Sequence, residues 1–173
     1  MRIFGITGWK NNGKTTLVER LVTEIVGRGF TVSTIKHAHH AFDVDQEGKD
    51  SWRHRQAGAK EVLVASAARW ALMHEVRDGE DEPALADLLE RLAPVDLVIV
   101  EGYKRDTHDK LEVHLVETGG PGGRELIARN DPTIRFVASN GDVEDVDVPV
   151  LDIDDVPTIA DAILAHVGLP ERK

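Results

Sequence analysis

The segment from residue 8 to residue 16 restricts this chain more than any other. Gly8-Trp9-Lys10-Asn11-Asn12-Gly13-Lys14-Thr15 matches the pattern G-x-x-x-x-G-K-[ST], and Thr16 follows it. The pattern has meaning only between a strand and a helix, and both are legible. Arg2-Ile3-Phe4-Gly5-Ile6-Thr7 reads as a short buried strand. Lys14 to Arg28 reads as a helix, with Leu17, Leu21, Ile25 and Val18, Val22, Val26 in two adjacent apolar rows. Gly29 stops it, and Thr31 to Lys36 is a second strand. This β-loop-α-β order favours a parallel pair with a right-handed crossover. The two glycines let successive N–H groups turn inward as an anion nest at a helix N-terminus. Lys14 would then reach the β- and γ-phosphates of a nucleoside triphosphate. The Thr15 hydroxyl would ligate Mg²⁺, and Thr16 would cap the turn or touch the α-phosphate. Gly8, Asn11, Asn12 and Gly13 complete the cradle. Lys10 is either a second phosphate contact or a solvated tip.

The rest of the chain alternates strands and helices. Residues 37–50 have no period and read as a long functional loop. Ser51 to Gln56 is a short helix, capped by Asp50 or Ser51. Glu61 to Ser66 and Arg69 to Val76 suit a hairpin, and Ala84 to Leu92 suits an amphipathic helix. Asp96-Leu97-Val98-Ile99-Val100-Glu101 is apolar without alternation, as a parallel strand covered on both faces should be. Leu111 to Glu117 alternates and is expected nearer an edge. Gly119 to Gly123 is a loop, Ile134 to Ala138 and Val148 to Leu151 are short strands, and Asp155 to Val167 is a closing helix. The expectation is an α/β, P-loop NTPase-like, doubly wound and mostly parallel sheet with helices on both faces. A length of 173 residues suits a single domain.

Charge and composition narrow the partners. The net charge of −10 disfavours nucleic acid and anionic membranes, whose phosphates reward Lys and Arg. The charge is uneven. Residues 1–60 hold 10 Lys and Arg against 6 Asp and Glu, and the remainder hold 11 against 25. The positive third surrounds the glycine-rich loop, as a local field for one polyphosphate would require. No cysteine is present, which excludes disulfides and thiolate sites and fits a reducing cytosol. The opening residues do not resemble a signal peptide, and no apolar run nears the roughly 20 residues that span a bilayer. A cytoplasmic setting is expected.

A triphosphate loop of this kind needs an acidic partner for the metal and its water. Glu101 ends the strand Leu97 to Val100 and is followed by Gly102, so it is the candidate catalytic and metal-facing acid. Asp43, Asp45 and Asp50 in the long loop are alternatives, and Asp45 is taken with Thr15 and Glu101 as a candidate Mg²⁺ ligand. Lys36-His37-Ala38-His39-His40 follows the second strand. These residues suit either a transition metal or, for Lys36, His37 and His40, an anionic ligand such as a phosphate.

Several segments recur together. Gly8 to Leu17, Thr34-Ile-Lys-His37 with His40, Gly48-Lys-Asp-Ser51, Ala57-Gly-Ala59 and Asp96-Leu-Val-Ile-Val-Glu-Gly-Tyr-Lys104 resemble the molybdopterin-guanine dinucleotide biosynthesis protein B (MobB) family over nearly the whole chain. The resemblance implies a small GTP-binding protein with Mg²⁺, dimeric, and at most a weak GTPase. It also implies an adaptor that assists the molybdopterin guanylyltransferase attaching GMP to molybdopterin. The usual guanine-reading Asn-Lys-x-Asp is absent, and Asn140 or Asp142 after a late strand is the candidate base contact. For the implied homodimer, Trp70 in the apolar stretch Leu63 to Met73 is the candidate anchor. Two other classes remain open. One is a metallochaperone GTPase for a nickel enzyme, suggested by the histidines. The other is a small-molecule kinase, for which Arg53 and Arg55 are the compact arginine pair.

Overall fold

In the computed structural model, residues 1–38, 42–116 and 125–169 are described. Six strands form one sheet: β1 (Arg2–Gly8), β2 (Val32–Lys36), β5 (Leu97–Glu101), β6 (Lys110–His114), β7 (Ile134–Ser139) and β8 (Val150–Asp152). Their order is β2-β5-β1-β6-β7-β8, and every pairing is parallel. The helices are α1 (Lys14–Gly27), α2 (Asp50–Gln56), α3 (Leu85–Glu90) and α4 (Val156–His166). A separate antiparallel hairpin joins β3 (Glu61–Ala65) to β4 (Trp70–His74). This is the doubly wound α/β architecture that the order of elements predicts.

The chain divides into two compact units. One comprises Met1–His37 with Leu88–Lys173, and the other Ala38–Asp87. The first holds the six-stranded sheet. On one face Phe4, Ile6, Leu97, Ile99, Leu111 and Val113 meet Leu17, Leu21 and Ile25 of α1 and Ile159 and Ile163 of α4 in a continuous apolar core. Of the two i, i+4 rows read from the sequence of α1, Leu17, Leu21 and Ile25 bury throughout, whereas in the other Val18 is buried, Val22 is half-buried and Val26 is exposed. Asp155 starts α4 by accepting from Thr158 N, with Pro157 in the first turn.

Over β1 the other face is built differently. β5 ends at Glu101 and β6 begins at Lys110, on opposite sides of β1. The eight residues between them form no helix and cross β1 directly. Their passage explains Gly5. A Cβ there would lie 2.6 Å from His108 Nε2 and 2.7 Å from Lys110 Cγ, so no side chain fits beneath the crossing.

One expectation is corrected here. β6 is not near an edge; it lies between β1 and β7. Its alternation has another cause. Leu111 and Val113 face the apolar core, while Lys110 and Glu112 are fully buried on the other face. The Lys110 ammonium donates to His108 O at 2.9 Å, to Thr133 Oγ1 at 2.7 Å and to Asp106 O. Burial pulls its pKa down, against Asp131, Asp106 and Asp109. The Glu112 carboxylate accepts from Ile127 N at 3.0 Å and Ala128 N at 2.8 Å. Burial raises its pKa against those two N–H groups.

In the second unit, Arg55 on α2 binds three acids. Its guanidinium donates to Asp45 at 2.7 and 3.1 Å, to Asp43 at 2.7 Å and to Glu75 at 2.8 Å. These partners, Asp45 first, hold its pKa well above the ordinary arginine value. No side chain caps α2, contrary to the expected role of Asp50 or Ser51. Among the described residues, no helix is long and apolar enough to cross a membrane.

Candidate functional site

The glycine-rich loop leaves β1 at its C-terminal end, where open parallel sheets bind ligands. Gly8 has φ of +139°, and a Cβ there would lie 2.5 Å from Val113 O. The loop is pressed onto β6 at a point that only glycine can occupy. Asn12 Nδ2 donates to the same Val113 O at 3.3 Å, and Asn12 N donates to Trp9 O at 3.3 Å. Asn11 takes φ of 68°, a left-handed conformation that asparagine tolerates better than most residues. α1 then begins at Lys14 with no side-chain cap. The dipole of this helix favours an anion at its N-terminus. The Lys14 ammonium donates to Trp9 O at 2.6 Å. Thr16 is exposed on that first turn, and Lys10 is exposed on the loop.

β5 brings its terminal acid to this turn. Thr15 Oγ1 donates to Glu101 Oε1 at 2.8 Å across 86 residues of sequence. The parallel register accounts for the meeting, since Ile6 of β1 pairs with Glu101 and Lys36 of β2 pairs with the same residue. Lys36 Nζ lies 3.0 Å from Thr15 Oγ1 and 3.2 Å from Glu101 Oε1. His37 N donates to Glu101 O at 2.9 Å, and the His37 ring lies 5.0 Å from that of Tyr103. Thr15, Glu101, Lys36 and His37 are therefore gathered at one end of the sheet, as their places in the sequence suggest.

Trp9 anchors the loop on its other side. Its indole N–H donates to Glu125 O at 2.9 Å, and Lys104 Nζ lies 4.2 Å from its ring centroid. Neither contact is among the expectations drawn from the sequence. The signal available was Lys104 in the segment after β5, which the β5-β1 pairing brings towards the loop.

The remaining candidates have protein partners in the structure. Asn140 follows β7 at the same end of the sheet, where its Oδ1 accepts from Val116 N at 2.7 Å. The side chain thereby ties the segments after β6 and β7 together. Asp45 belongs to the second unit, where both of its oxygens accept from Arg55. The geometry gives it an arginine as partner, whereas the other two candidate Mg²⁺ ligands, Thr15 and Glu101, touch each other. Arg55 is likewise committed to three carboxylates, so the Arg53–Arg55 pair does not form the free lid arginines that a kinase would need. His40 and the loop Gly119 to Gly123 lie outside the described residues.

The chain is similar to known proteins over most of its length. The family model for molybdopterin guanine dinucleotide synthesis protein B matches residues 3–140. A molybdopterin-guanine dinucleotide biosynthesis adapter protein of Haemophilus influenzae is 41% identical over 161 residues, covering 93% of this chain and 86% of that protein. The adapter protein of that name from Escherichia coli is 38% identical, covering 94% and 91%. Among solved structures, a MobB protein homolog from Bacillus stearothermophilus superposes with a TM-score of 0.69 at 25% identity, covering 98% of this chain and 100% of that one.

Proposed function

The chain belongs to the molybdopterin guanine dinucleotide synthesis protein B family, and on that premise we propose that it is an adapter of molybdenum cofactor maturation. In this reading it binds GTP with Mg²⁺ in the loop Gly8 to Thr16 and assists the guanylyltransferase that attaches GMP to molybdopterin. One observation carries the nucleotide site: the 2.8 Å contact between Thr15 and Glu101 beside an uncapped helix N-terminus and Lys14. The loop amides and Lys14 would hold the β- and γ-phosphates, and Thr16 the α-phosphate. Thr15 and Glu101 offer a hydroxyl and a carboxylate oxygen 2.8 Å apart. Neighbouring ligands of an octahedral Mg²⁺ at about 2.0–2.1 Å stand roughly 2.9 Å apart, so this pair fits the ion. Bound there, Mg²⁺ would neutralise the phosphates. Asn140 and the residues after it lie where a base contact would be sought. A cytoplasmic setting follows from the same reading.

A homodimer belongs to the proposal. The β3–β4 hairpin pairs Leu63 with Leu72 and Ala65 with Trp70, which places these four on one face. Leu63, Trp70 and Leu72 are 60%, 67% and 41% exposed in the single chain. An apolar two-stranded ribbon gains little stability alone in water, and a second copy of the same face would bury it.

Calorimetric titration of GTP and ATP, with and without Mg²⁺, tests the site. We expect wild type to prefer GTP with Mg²⁺. Lys14→Ala should keep its circular dichroism and lose at least roughly 1.5–3 kcal/mol of binding, the size of a charge-assisted contact. A folded variant that binds GTP within about threefold of wild type, or roughly 0.7 kcal/mol, would remove the loop from the account.

A further inference from the structure

Lys36 ends β2, an edge strand, and its ammonium turns to the acid of the neighbouring strand. It sits 3.2 Å from Glu101 Oε1 and 3.0 Å from Thr15 Oγ1, while the Thr15 hydroxyl donates to that same Oε1. Three groups thus form a triangle with a cation at one corner. The Glu101 side chain is only 9% exposed, and that of Lys36 is 55% exposed. A carboxylate so buried needs a positive partner, and Lys36 supplies it.

The other two corners are the oxygens that suit Mg²⁺. Thr15 Oγ1 donates its proton to Glu101 and accepts from Lys36. The lone pair offered to Lys36 is therefore one that a metal would use. Two cations within about 3 Å of each other repel strongly at a half-shielded site.

We propose that the Lys36 ammonium and Mg²⁺ are alternative occupants of one place beside Thr15 and Glu101. The inference rests on reading the Gly8–Thr16 loop as a nucleotide site and goes beyond it. Metal arriving alone must expel Lys36 and gains little, because it replaces one cation on Glu101 with another. Metal arriving with a triphosphate gives the displaced ammonium new oxygens to bind. Lys36 therefore couples the two ligands, so that each favours the other by the same factor. It is a positioning residue with a defined exchange, from Glu101 to phosphate.

The test uses Mn²⁺ as a spin probe in place of Mg²⁺, with free ion measured by electron paramagnetic resonance. Wild type, Lys36→Met and Lys36→Arg are titrated without nucleotide and then with GTP. Without nucleotide, Lys36→Met should bind Mn²⁺ about tenfold more tightly than wild type, because the competing charge is gone. Lys36→Arg, which keeps the charge, should stay within about threefold of wild type. Adding GTP should tighten Mn²⁺ binding more in wild type than in Lys36→Met. If Lys36→Met does not fold, Lys36→Gln carries the same comparison. Equal or weaker Mn²⁺ binding by the neutral variant would overturn the exchange. Failure of wild type to bind GTP would defeat the nucleotide reading instead, while the titration without nucleotide still decides the role of Lys36.

Discussion

Gly8 shows how one residue sets the shape of the site. Its φ of +139° and the 2.5 Å approach of a would-be Cβ to Val113 O leave no room for alanine. Gly8→Ala should therefore cost on the order of 1–3 kcal/mol of stability and at least about tenfold in GTP affinity, measured by thermal melting and calorimetry. An alanine variant that melts and binds like wild type would mean that the loop is not pinned to β6. Glu112 tests the buried polar face. Its folded pKa is raised, so the stability linked to its protonated form is complete below the unfolded carboxylate pKa of about 4.3. That stability is lost as pH rises through the folded value. The stability of wild type minus that of Glu112→Gln should thus fall as pH rises above about 4.3 in urea titrations. A difference that is flat or rises with pH would show Glu112 ionised throughout. Glu101 was legible in the sequence because a strand-end acid beside a glycine is a pattern in itself. Lys110 and Glu112 were not legible as buried charges. Their partners are loop carbonyls, Thr133 and the N–H groups of residues 127 and 128, and no local pattern announces those meetings.

Elements separate what periodicity can say from what it cannot. α1 and β5 followed their apolar patterns because one is amphipathic and the other is apolar on both faces. β6 misled because polar residues alternating with apolar ones normally signal solvent. Here they signal a face closed by the crossing segment and by the helical turn Ile127–Arg129. The β3–β4 hairpin was legible as a hairpin, and its exposed apolar face emerged only from the register. We expect Trp70→Glu to convert a dimer into a monomer of 19.1 kDa in light scattering at tens of micromolar. Wild type that is already monomeric at that concentration, or a variant that stays dimeric, would exclude this face as the contact.

On the scale of the molecule, net charge and site chemistry are arranged for different tasks. The chain is acidic overall, while its first 60 residues, which include the glycine-rich loop, carry more Lys and Arg than Asp and Glu, a bias that would favour a polyanion at that loop. Division of the chain into a sheet unit and a hairpin unit puts the Gly8–Thr16 loop and the apolar hairpin face in separate parts. The most direct measurement is the yield of molybdopterin guanine dinucleotide from purified guanylyltransferase, molybdopterin and GTP with Mg²⁺. The reaction is run without this protein, with wild type and with Lys14→Ala. The account predicts a higher yield with wild type than with no addition, and no such gain with Lys14→Ala. A gain that is equal with Lys14→Ala, or no gain with wild type, would contradict it.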